Sequence, residues 1–245
     1  MDVIEKEQLS FADAQSHWYY VSKYSVMRRQ IMGMDLPAKP ALADFGCGAG
    51  LFLSMIVKDG LFRRDELFGV DTAYVSEQKL SDSGVRVGPS FPTGREFDVI
   101  LLMDVLEHIE DAAGALRYAA SHCKPGGYLF VTLPALMALW SKHDEFLGHH
   151  HRYNLEDFRT LAAQDESLRI EKLFYYFASI LPVAAPVRWA KRLVGGGKGS
   201  DMRRAGPAAD SFLKAVLSWE ASWMENNRTA GLSVVAVCRK CSQGV

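Results

Sequence analysis

The sequence predicts an α/β fold in which helices cover both faces of a mostly parallel sheet. Helix-like and strand-like segments alternate along the first half of the chain, and this alternation favours a parallel sheet that is wrapped on both sides. The run FDVILLMD, from Phe97 to Asp104, is almost continuously apolar, as expected for a strand buried on both faces. A third observation is the glycine-rich turn from Gly46 to Gly50, which directly follows a short apolar run.

Local patterns define the elements of the first half. Aromatic and aliphatic residues recur at spacings of three and four from Phe11 to Met34, which predicts an amphipathic helical region. Pro125 and the two glycines after it end a later helical segment. The predicted strands are Ala41–Phe45, Glu66–Asp71, a weak Gly84–Gly88, Phe97–Asp104 and Tyr128–Pro134, and the other predicted helices are Leu51–Lys58 and Asp111–Cys123.

The residue pattern changes in the second half of the chain. The stretch from Ala135 to Asn154 shows no sustained period and is rich in His, Asp, Arg and aromatic residues, so we predict a long functional loop. The patterns beyond it predict a helix from Leu155, a strand at Leu168–Phe177, a flexible linker at Gly195–Gly206, a helix at Ala208–Glu225 and a closing strand at Leu232–Lys240.

Composition limits the class of protein. The chain has 245 residues, 49% of them hydrophobic, and a formal net charge of -1, so it can bury a substantial core and has no global attraction to nucleic acid. Its polar, acidic N-terminal stretch lacks the features of a secretory signal. The four cysteines are few and irregularly spaced, which favours reduced thiols. We therefore predict one domain, a cytoplasmic location and no nucleic-acid partner.

The glycine turn indicates a ligand. Glycines between a strand and a helix let the backbone approach a ligand closely and direct unsatisfied amides at it, in the crevice where open α/β sheets bind ligands. Leu51 stands where a dinucleotide fingerprint needs its third glycine, and no Gly-Lys-Ser/Thr of a phosphate loop follows. Asp71, at the end of the next strand, is placed to accept hydrogen bonds from a ribose. The predicted ligand is a nucleoside without a pyrophosphate.

Four motifs carry a resemblance to a known family. They are DFGCGAG, GVD, FDVILLMDVLEHIED and CKPGGYLFVTLP, in this order between Asp44 and Pro134. With them the chain resembles class I S-adenosylmethionine-dependent methyltransferases, in particular bacterial methyltransferase domains of types 11, 12 and 23. The resemblance implies a Rossmann-like, mostly parallel seven-stranded sheet whose last strand is antiparallel.

The resemblance also implies S-adenosyl-L-methionine as the cofactor. Its methionyl end would lie at Asp44 and at the glycine turn, its ribose at Asp71, and its adenosine along Asp104–Leu106. The cofactor-binding residues predicted in this way are Asp44, Gly46, Cys47, Gly48, Gly50, Asp71, Thr72, Asp104, Val105 and Leu106.

The loop after Pro134 predicts the acceptor side. Methyl transfer to a hydroxyl needs a nucleophile aligned behind the methyl group and a base that takes its proton, and histidine suits that role near neutral pH. We predict His143 or His149 as the base, and their spacing does not choose between them. The pattern W-S-x-H-D-x-x-x-G-H-x-x-R-Y and the N-terminal HWYY resemble a subgroup linked with surface-glycan or lipid-linked sugar modification. In that subgroup an aromatic helix closes over the cofactor, and we predict that the residues that close or line the pocket are Trp18, Tyr19, Tyr20, Arg152 and Tyr153.

A metal site is the alternative for the same region. Asp104, Glu107 and His108 lie at i, i+3 and i+4, so a helix would place them on one face, where a loop histidine completes a ligand set. This arrangement is similar to the E-x-x-E-H of small-RNA terminal and polyprenyl quinone O-methyltransferases, whereas metal-free relatives use the same pair to cap and pack a helix. We predict no metal and keep metal-assisted O-methylation of a quinone or RNA-end acceptor as the alternative.

The residue pattern of the region 173–204 predicts a segment at the protein surface. The stretch from Leu173 to Val187 carries no charge, is too short and too rich in proline to span a membrane, and precedes six basic residues and Asp201. Apolar surface beside positive charge suits a segment that lies on a membrane. Two interpretations stay open. One is a lid over the acceptor pocket that touches the inner face of the membrane, and the other is a strand followed by a packed helix and a solvated linker.

Together these patterns predict one methyltransferase domain over residues 1–245. It comprises a helical cap (1–36), a cofactor-binding half (41–134) and an acceptor-side half (135–245) with a helical insertion at about 178–226. The predicted function is O-methylation of a small or lipid- or glycan-linked acceptor. A non-catalytic protein that binds the same nucleoside is an alternative, and Leu51 disfavours an oxidoreductase with a nicotinamide dinucleotide. The sequence predicts neither the acceptor's identity nor an oligomeric state.

Overall fold

One sheet organises the protein. The computed structural model describes residues 10–193 and 206–241. Its strands are β1 (Leu42–Phe45), β2 (Leu67–Val70), β3 (Gln78–Lys79), β4 (Arg86–Gly88), β5 (Phe97–Met103), β6 (Cys123–Pro134), β7 (Leu168–Tyr176) and β8 (Ser233–Lys240). They form a single sheet in the order β3-β4-β2-β1-β5-β6-β8-β7.

The pairing confirms a mostly parallel sheet. Strands β4, β2, β1, β5 and β6 are parallel neighbours, whereas β8 runs antiparallel to both β6 and β7. The sheet has eight strands instead of the expected seven, because the two residues of β3 pair antiparallel with β4 at one edge. A strand of two residues has no periodicity, so sequence patterns do not reveal it.

Helices cover both faces, as expected. They are α1 (Phe11–Ala14), α2 (Trp18–Met32), α3 (Leu51–Asp59), α4 (Ala112–Ser121), α5 (Lys142–Leu147), α6 (Leu155–Ala162), α7 (Leu181–Leu193) and α8 (Pro207–Glu220), with short 3-10 helices at Arg64–Glu66, Leu106–His108, Met137–Leu139 and Met224–Asn226. Met27, Leu53 and Leu217, on α2, α3 and α8, belong to one apolar cluster. Leu116 and Phe158, on α4 and α6, belong to the other. The all-buried strand β5 contributes to both clusters.

The predicted N-terminal helical region consists of two helices, with a break between them at His17. His17 has an extended backbone, and its Nδ1 accepts the N–H of Tyr19 at 3.3 Å, so that it caps α2. The carboxylate of Asp210, on α8, accepts the N–H of Trp18 at 2.9 Å. Sequence patterns missed this break because histidine is not among the usual N-cap residues.

The predicted long loop contains a helix. Ser141 and Asp144 form a reciprocal capping box that starts α5, and Gly148 ends it with a left-handed backbone, at φ 71°. The S-x-x-D spacing was a usable signal for this helix start. As a result, the loop residues are held in place by local hydrogen bonds.

The region 173–204 divides between two elements and an undescribed part. Leu173 to Tyr176 belong to β7, and α7 starts at Leu181 and includes Pro186. The predicted linker up to residue 205 and the basic residues Lys198, Arg203 and Arg204 lie outside the described residues. Across the described ranges, none of the helices combines the length and the apolar character that crossing a bilayer requires.

Candidate functional site

The glycine turn connects β1 to α3. Gly46, Gly48 and Gly50 adopt positive φ angles of 78°, 51° and 78°, a region that glycine enters without steric penalty. The amides of Gly46 and Gly48 already have partners, the Val70 carbonyl at 2.7 Å and the Asp71 carboxylate at 2.8 Å. The expectation that the turn leaves its amides unsatisfied is therefore wrong for these two. The first turn of α3, in contrast, has no side-chain cap, so its amides remain available to a ligand.

Asp71 supports the turn from the end of β2. Its second oxygen accepts the N–H of Ala73 at 2.9 Å, and the hydroxyl of Tyr74 donates to the Gly48 carbonyl at 2.6 Å. Thr72, between them, is exposed. Asp71 thus stands at the turn, as the sequence indicated, whereas Tyr74 belongs to no motif and was not foreseen.

Asp44 is a buried acid without a hydrogen-bond partner. Its side chain is 1% exposed, and neither carboxylate oxygen has a partner among the described groups. Burial, with a further contribution from the negative charge of Asp71, raises the pKa of Asp44 to about 7. A buried polar group is costly unless a donor satisfies it. A ligand with N–H donors or positive charge fits this position, and the ammonium of a bound methionyl group is such a donor.

Gly46 also packs tightly against the next motif. A Cβ atom on Gly46 would lie 2.5 Å from a methyl group of Val105, and Val105 is buried, as are Cys47 and Leu106. We therefore expect Gly46→Ala to destabilise the protein by about 2–4 kcal/mol, because it combines a strained backbone with a clash. Gly94→Ala is the matched control, since Gly94 has a φ of 73° but open space around it, and it should cost about 1–2 kcal/mol. Equal losses in urea unfolding would contradict the tight packing.

A charged cluster lies at the end of β5, around Asp104. Asp104 has a φ of 56°, and its carboxylate accepts hydrogen bonds from the hydroxyls of Thr132 at 3.0 Å and Tyr19 at 3.3 Å. The Lys23 ammonium, on α2, forms an ion pair with the same carboxylate. Burial alone would raise the pKa of Asp104, but the charge of Lys23 and the hydrogen bonds outweigh it and hold the pKa below its usual value. The sequence had not indicated Lys23.

The aromatic residues of HWYY divide between the site and the core. The rings of Tyr19 and Phe177 stack with centroids 5.4 Å apart and an interplanar angle of 9°, and Trp18 packs edge-on against both rings. Tyr20 is only 4% exposed and packs against Phe52 in the core. Of the three predicted pocket residues on α2, Tyr19 contacts the charged cluster, where its hydroxyl donates to Asp104.

His149 and Asp144 form a dyad in the loop after β6. Nδ1 of His149 lies 2.9 Å from Oδ1 of Asp144, and Nε of Arg152 donates to the same oxygen at 2.6 Å. Asp144 is fully buried. The hydrogen bond of His149 and the charge of Arg152 overcome burial, so that the pKa of Asp144 lies well below its ordinary value. The other predicted base, His143, lies in the first turn of α5, where its amide donates to the Ser141 hydroxyl.

Arg152 and Tyr153 are buried beneath the loop. Arg152 is 3% exposed and also donates to the Ala135 carbonyl at 3.1 Å. Tyr153 is 6% exposed, its ring packs edge-on against His151, and burial raises its pKa to about 12. Both residues therefore hold the loop against the sheet in this structure.

Glu107, His108 and His149 form a compact group of potential metal ligands. One ligand atom of each lies within 4.8 Å of the others, and the two imidazole rings meet edge-on at 4.6 Å. Glu107 is 1% exposed, and its Oε2 has no hydrogen-bond partner among the described atoms. Burial and the charge of Asp104 raise the pKa of Glu107 well above its ordinary value. The sequence pattern also grouped Asp104 with these residues. In the structure, Asp104 forms an ion pair with Lys23.

A comparison with protein families decides the assignment. The family described as methyltransferase domain matches residues 23–167, more than half of the chain. The chain belongs to this family. The match contains all four motifs, so it confirms the prediction of a methyltransferase domain of the S-adenosylmethionine-dependent kind.

Curated relatives match the central part of this methyltransferase domain. The ubiquinone biosynthesis O-methyltransferase of Marinobacter nauticus is 35% identical over 114 residues, which cover 40% of this chain and 45% of the relative. The enzyme of the same description from Azorhizobium caulinodans is 31% identical over 102 residues, covering 37% of this chain and 39% of the relative. The matches therefore span less than half the length of these relatives.

Solved structures share the fold over most of the methyltransferase domain. The plantazolicin methyltransferase BpumL, in complex with a triazolic desmethylPZN analog and SAH, superimposes with a TM-score of 0.55 at 13% identity and covers 97% of this chain and 88% of its own. The [4+2]-cyclase SpnF gives a TM-score of 0.53 at 19% identity, with 88% and 80% covered. One neighbour is a methyltransferase and the other a cyclase, so the shared fold does not by itself specify the reaction.

Proposed function

We propose that the protein transfers the methyl group of S-adenosyl-L-methionine to a hydroxyl oxygen of a small acceptor, with His149 as the base. The observation that carries this proposal is the dyad of His149 and Asp144, because the aspartate holds Nδ1 and leaves Nε2 for a substrate proton. A protonated His149 would lower the pKa of Asp104, which supports a position of the dyad beside the charged cluster. The names of the curated relatives support oxygen as the acceptor atom.

The reaction needs alignment and one proton acceptor. When bound, the cofactor supplies a methyl group on a sulfonium leaving group. Its sulfur would leave with the electron pair of the broken bond as the acceptor oxygen takes the methyl group, and Nε2 of His149 would accept the hydroxyl proton. Asp144 fixes the imidazole orientation and stabilises its protonated form. In this proposal, Asp44 binds the cofactor's ammonium, Asp71 its ribose, and the turn from Gly46 to Gly50 its methionyl end.

Ligand binding and transfer test the proposal in two steps. S-adenosylhomocysteine should raise the melting temperature in proportion to the logarithm of its concentration, whereas NAD should not. Labelled methyl groups from S-adenosyl-L-methionine should then enter either the soluble or the lipid fraction of a cell extract. Stabilisation by the nucleoside without transfer to either fraction would favour the non-catalytic binding protein, and stabilisation by NAD alone would favour an oxidoreductase.

Metal-assisted O-methylation is a second candidate, supported by the group of Glu107, His108 and His149. A carboxylate and two imidazoles are a donor set that binds divalent transition metals. A bound metal would supply Lewis acid chemistry at the acceptor oxygen. Activity that disappears in a chelator and returns with one divalent ion would favour this candidate, and activity that is unchanged by chelation would eliminate it.

We also propose that the acceptor side contacts the inner face of the membrane through the start of α7. Val183 and Val187 are 71% and 49% exposed, and Arg188, Lys191 and Arg192 follow them in the sequence. Exposed apolar residues beside basic ones favour anionic lipid surfaces. The protein should co-sediment with anionic vesicles at low salt and much less with neutral ones. Val183→Asp should reduce this binding, and failure to co-sediment with anionic vesicles would exclude the contact.

A further inference from the structure

We propose that Lys23 is a catalytic residue whose ammonium donates a hydrogen bond to the acceptor oxygen and stabilises the negative charge that develops there. This inference rests on the proposed methyl transfer and adds to it a residue that no motif indicated. It follows from a buried ammonium with one described hydrogen bond and from a buried oxygen of Glu107 that has no partner among the described residues.

The burial of Lys23 is the first observation. Lysine is almost never fully buried unless its charge is paired, yet the Lys23 side chain is 2% exposed in the middle of α2. Its one hydrogen bond among the described residues goes to Asp104. The ring of Tyr19 lies 4.9 Å from Nζ and receives the cation on its face. An ammonium has three N–H donors, so donors remain for a ligand.

The surrounding groups are the second observation. Oε2 of Glu107 is buried and has no hydrogen-bond partner among the described residues. The charge of Asp104 raises the pKa of Glu107 while that of Lys23 lowers it, so the three groups share one site. The Asp104 side chain is 27% exposed, whereas that of Lys23 is 2% exposed. A ligand would therefore approach the ion pair from the side of Asp104. A hydroxyl is the group that accepts from an ammonium and donates to a carboxylate or imidazole.

The pKa of the acceptor hydroxyl determines whether the charge of Lys23 can help to ionise it. An opposite charge at close range lowers a pKa by about 1–3 units. A phenol, with an ordinary pKa of about 10, would then ionise more easily than in water. A hydroxyl with a pKa near that of water, about 15.7, would stay protonated. Lys23 therefore favours acceptors with a phenolic or enolic hydroxyl, whose proton passes to His149 while the oxygen stays bonded to Lys23.

A merely structural role makes a different prediction. If the ion pair of Lys23 and Asp104 only attaches α2 to the sheet, replacing Lys23 lowers stability but does not change the ionisation of a bound phenol. The ionisation state of a chromogenic phenol therefore separates the two roles without any methyl transfer.

The experiment measures the absorbance of 4-nitrophenol bound to the protein with S-adenosylhomocysteine and excess EDTA, as a function of pH. In the wild type, the apparent pKa of the bound probe should fall by at least one unit below its value in solution. Lys23→Met should abolish that decrease, and Lys23→Arg, which keeps the charge, should retain part of it. Lys58→Met is the control, because Lys58 is exposed on α3 and hydrogen-bonds only Gln15 in the described part of the chain.

Folding and cofactor binding are measured on the same samples. Lys23→Gln serves as a second neutral variant in case Lys23→Met does not fold. Its side-chain amide keeps a hydrogen-bond donor for Asp104. Transfer to a phenolic acceptor should decrease about 100-fold in both neutral variants, while stabilisation by S-adenosylhomocysteine persists. An unshifted probe in the wild type, or an equal shift in the neutral variants, would overturn the role of Lys23. Loss of S-adenosylhomocysteine binding by the wild type would instead contradict the proposed function.

Discussion

Asp44→Asn is expected to be more stable than the wild type without ligand and to bind S-adenosylhomocysteine about 10- to 100-fold more weakly. Both effects follow from one buried carboxylate that has no partner in the described structure. Ionising Asp44 in that position is unfavourable, and an uncharged side chain of the same size removes the penalty. The same charge is what the cofactor's ammonium needs, and a charged hydrogen bond contributes about 1.5–3 kcal/mol.

The pH dependence of stability tests whether the carboxyl group of Asp44 causes this difference in stability. In the unfolded chain this carboxyl loses its proton near pH 4, whereas in the folded protein it keeps the proton up to a pKa of about 7. Between these values the folded state binds more protons, so Asp44 makes the protein less stable as the pH rises. One pKa unit corresponds to about 1.4 kcal/mol. The advantage of Asp44→Asn should therefore be absent below pH 4 and reach a few kcal/mol above pH 7.

Urea unfolding at pH 5 and pH 8 measures this difference, and titration calorimetry measures the affinity. Asp144, whose pKa is depressed, contributes the opposite pH trend, but it is common to both proteins and cancels in the comparison. Asp65→Asn is the control, because Asp65 is exposed and its ion pair among the described residues is with Arg63, two positions before it, at 2.8 Å. A variant that is less stable at both pH values, or that binds the nucleoside normally, would contradict this role of Asp44.

Motifs with a fixed spacing were predictable from the sequence because their chemistry is local. The turn from Gly46 to Gly50 needs backbone angles that glycine adopts easily, and its sequence therefore indicates its shape. Asp71 ends the neighbouring strand, and parallel strands end at the same edge of a sheet, so its proximity to the turn also followed.

Features that depend on contacts between distant segments were not predictable. Lys23 and Asp104 are 81 residues apart in the chain, and no local pattern distinguishes Lys23 from a solvated lysine on α2. The ion pair of Arg152 with the buried Asp144 was not foreseen either, because it depends on how the loop folds against the sheet. The partners of the turn amides were also missed, because the sequence indicates that Asp71 lies near the turn but not which amides it and Val70 bond.

His149→Asn is expected to reduce the rate of methyl transfer by about 10²- to 10⁴-fold, the usual contribution of a positioned base. Binding of S-adenosylhomocysteine should change little, because His149 contacts Asp144 and not the glycine turn. Stability should fall by about 1 kcal/mol for the lost hydrogen bond. Single-turnover transfer of a labelled methyl group separates the chemical step from product release.

His151→Asn is the matched control for this prediction. His151 lies two residues along the same loop, but its side chain is 42% exposed and its Nε2 lies 3.4 Å from Asp157. Its replacement should leave the rate of transfer within about twofold, because no described contact joins it to Asp104 or to the dyad. His143→Asn completes the set, since the sequence did not choose between the two histidines. A large loss in His143→Asn with normal transfer in His149→Asn would move the base to α5 and leave the dyad a structural role.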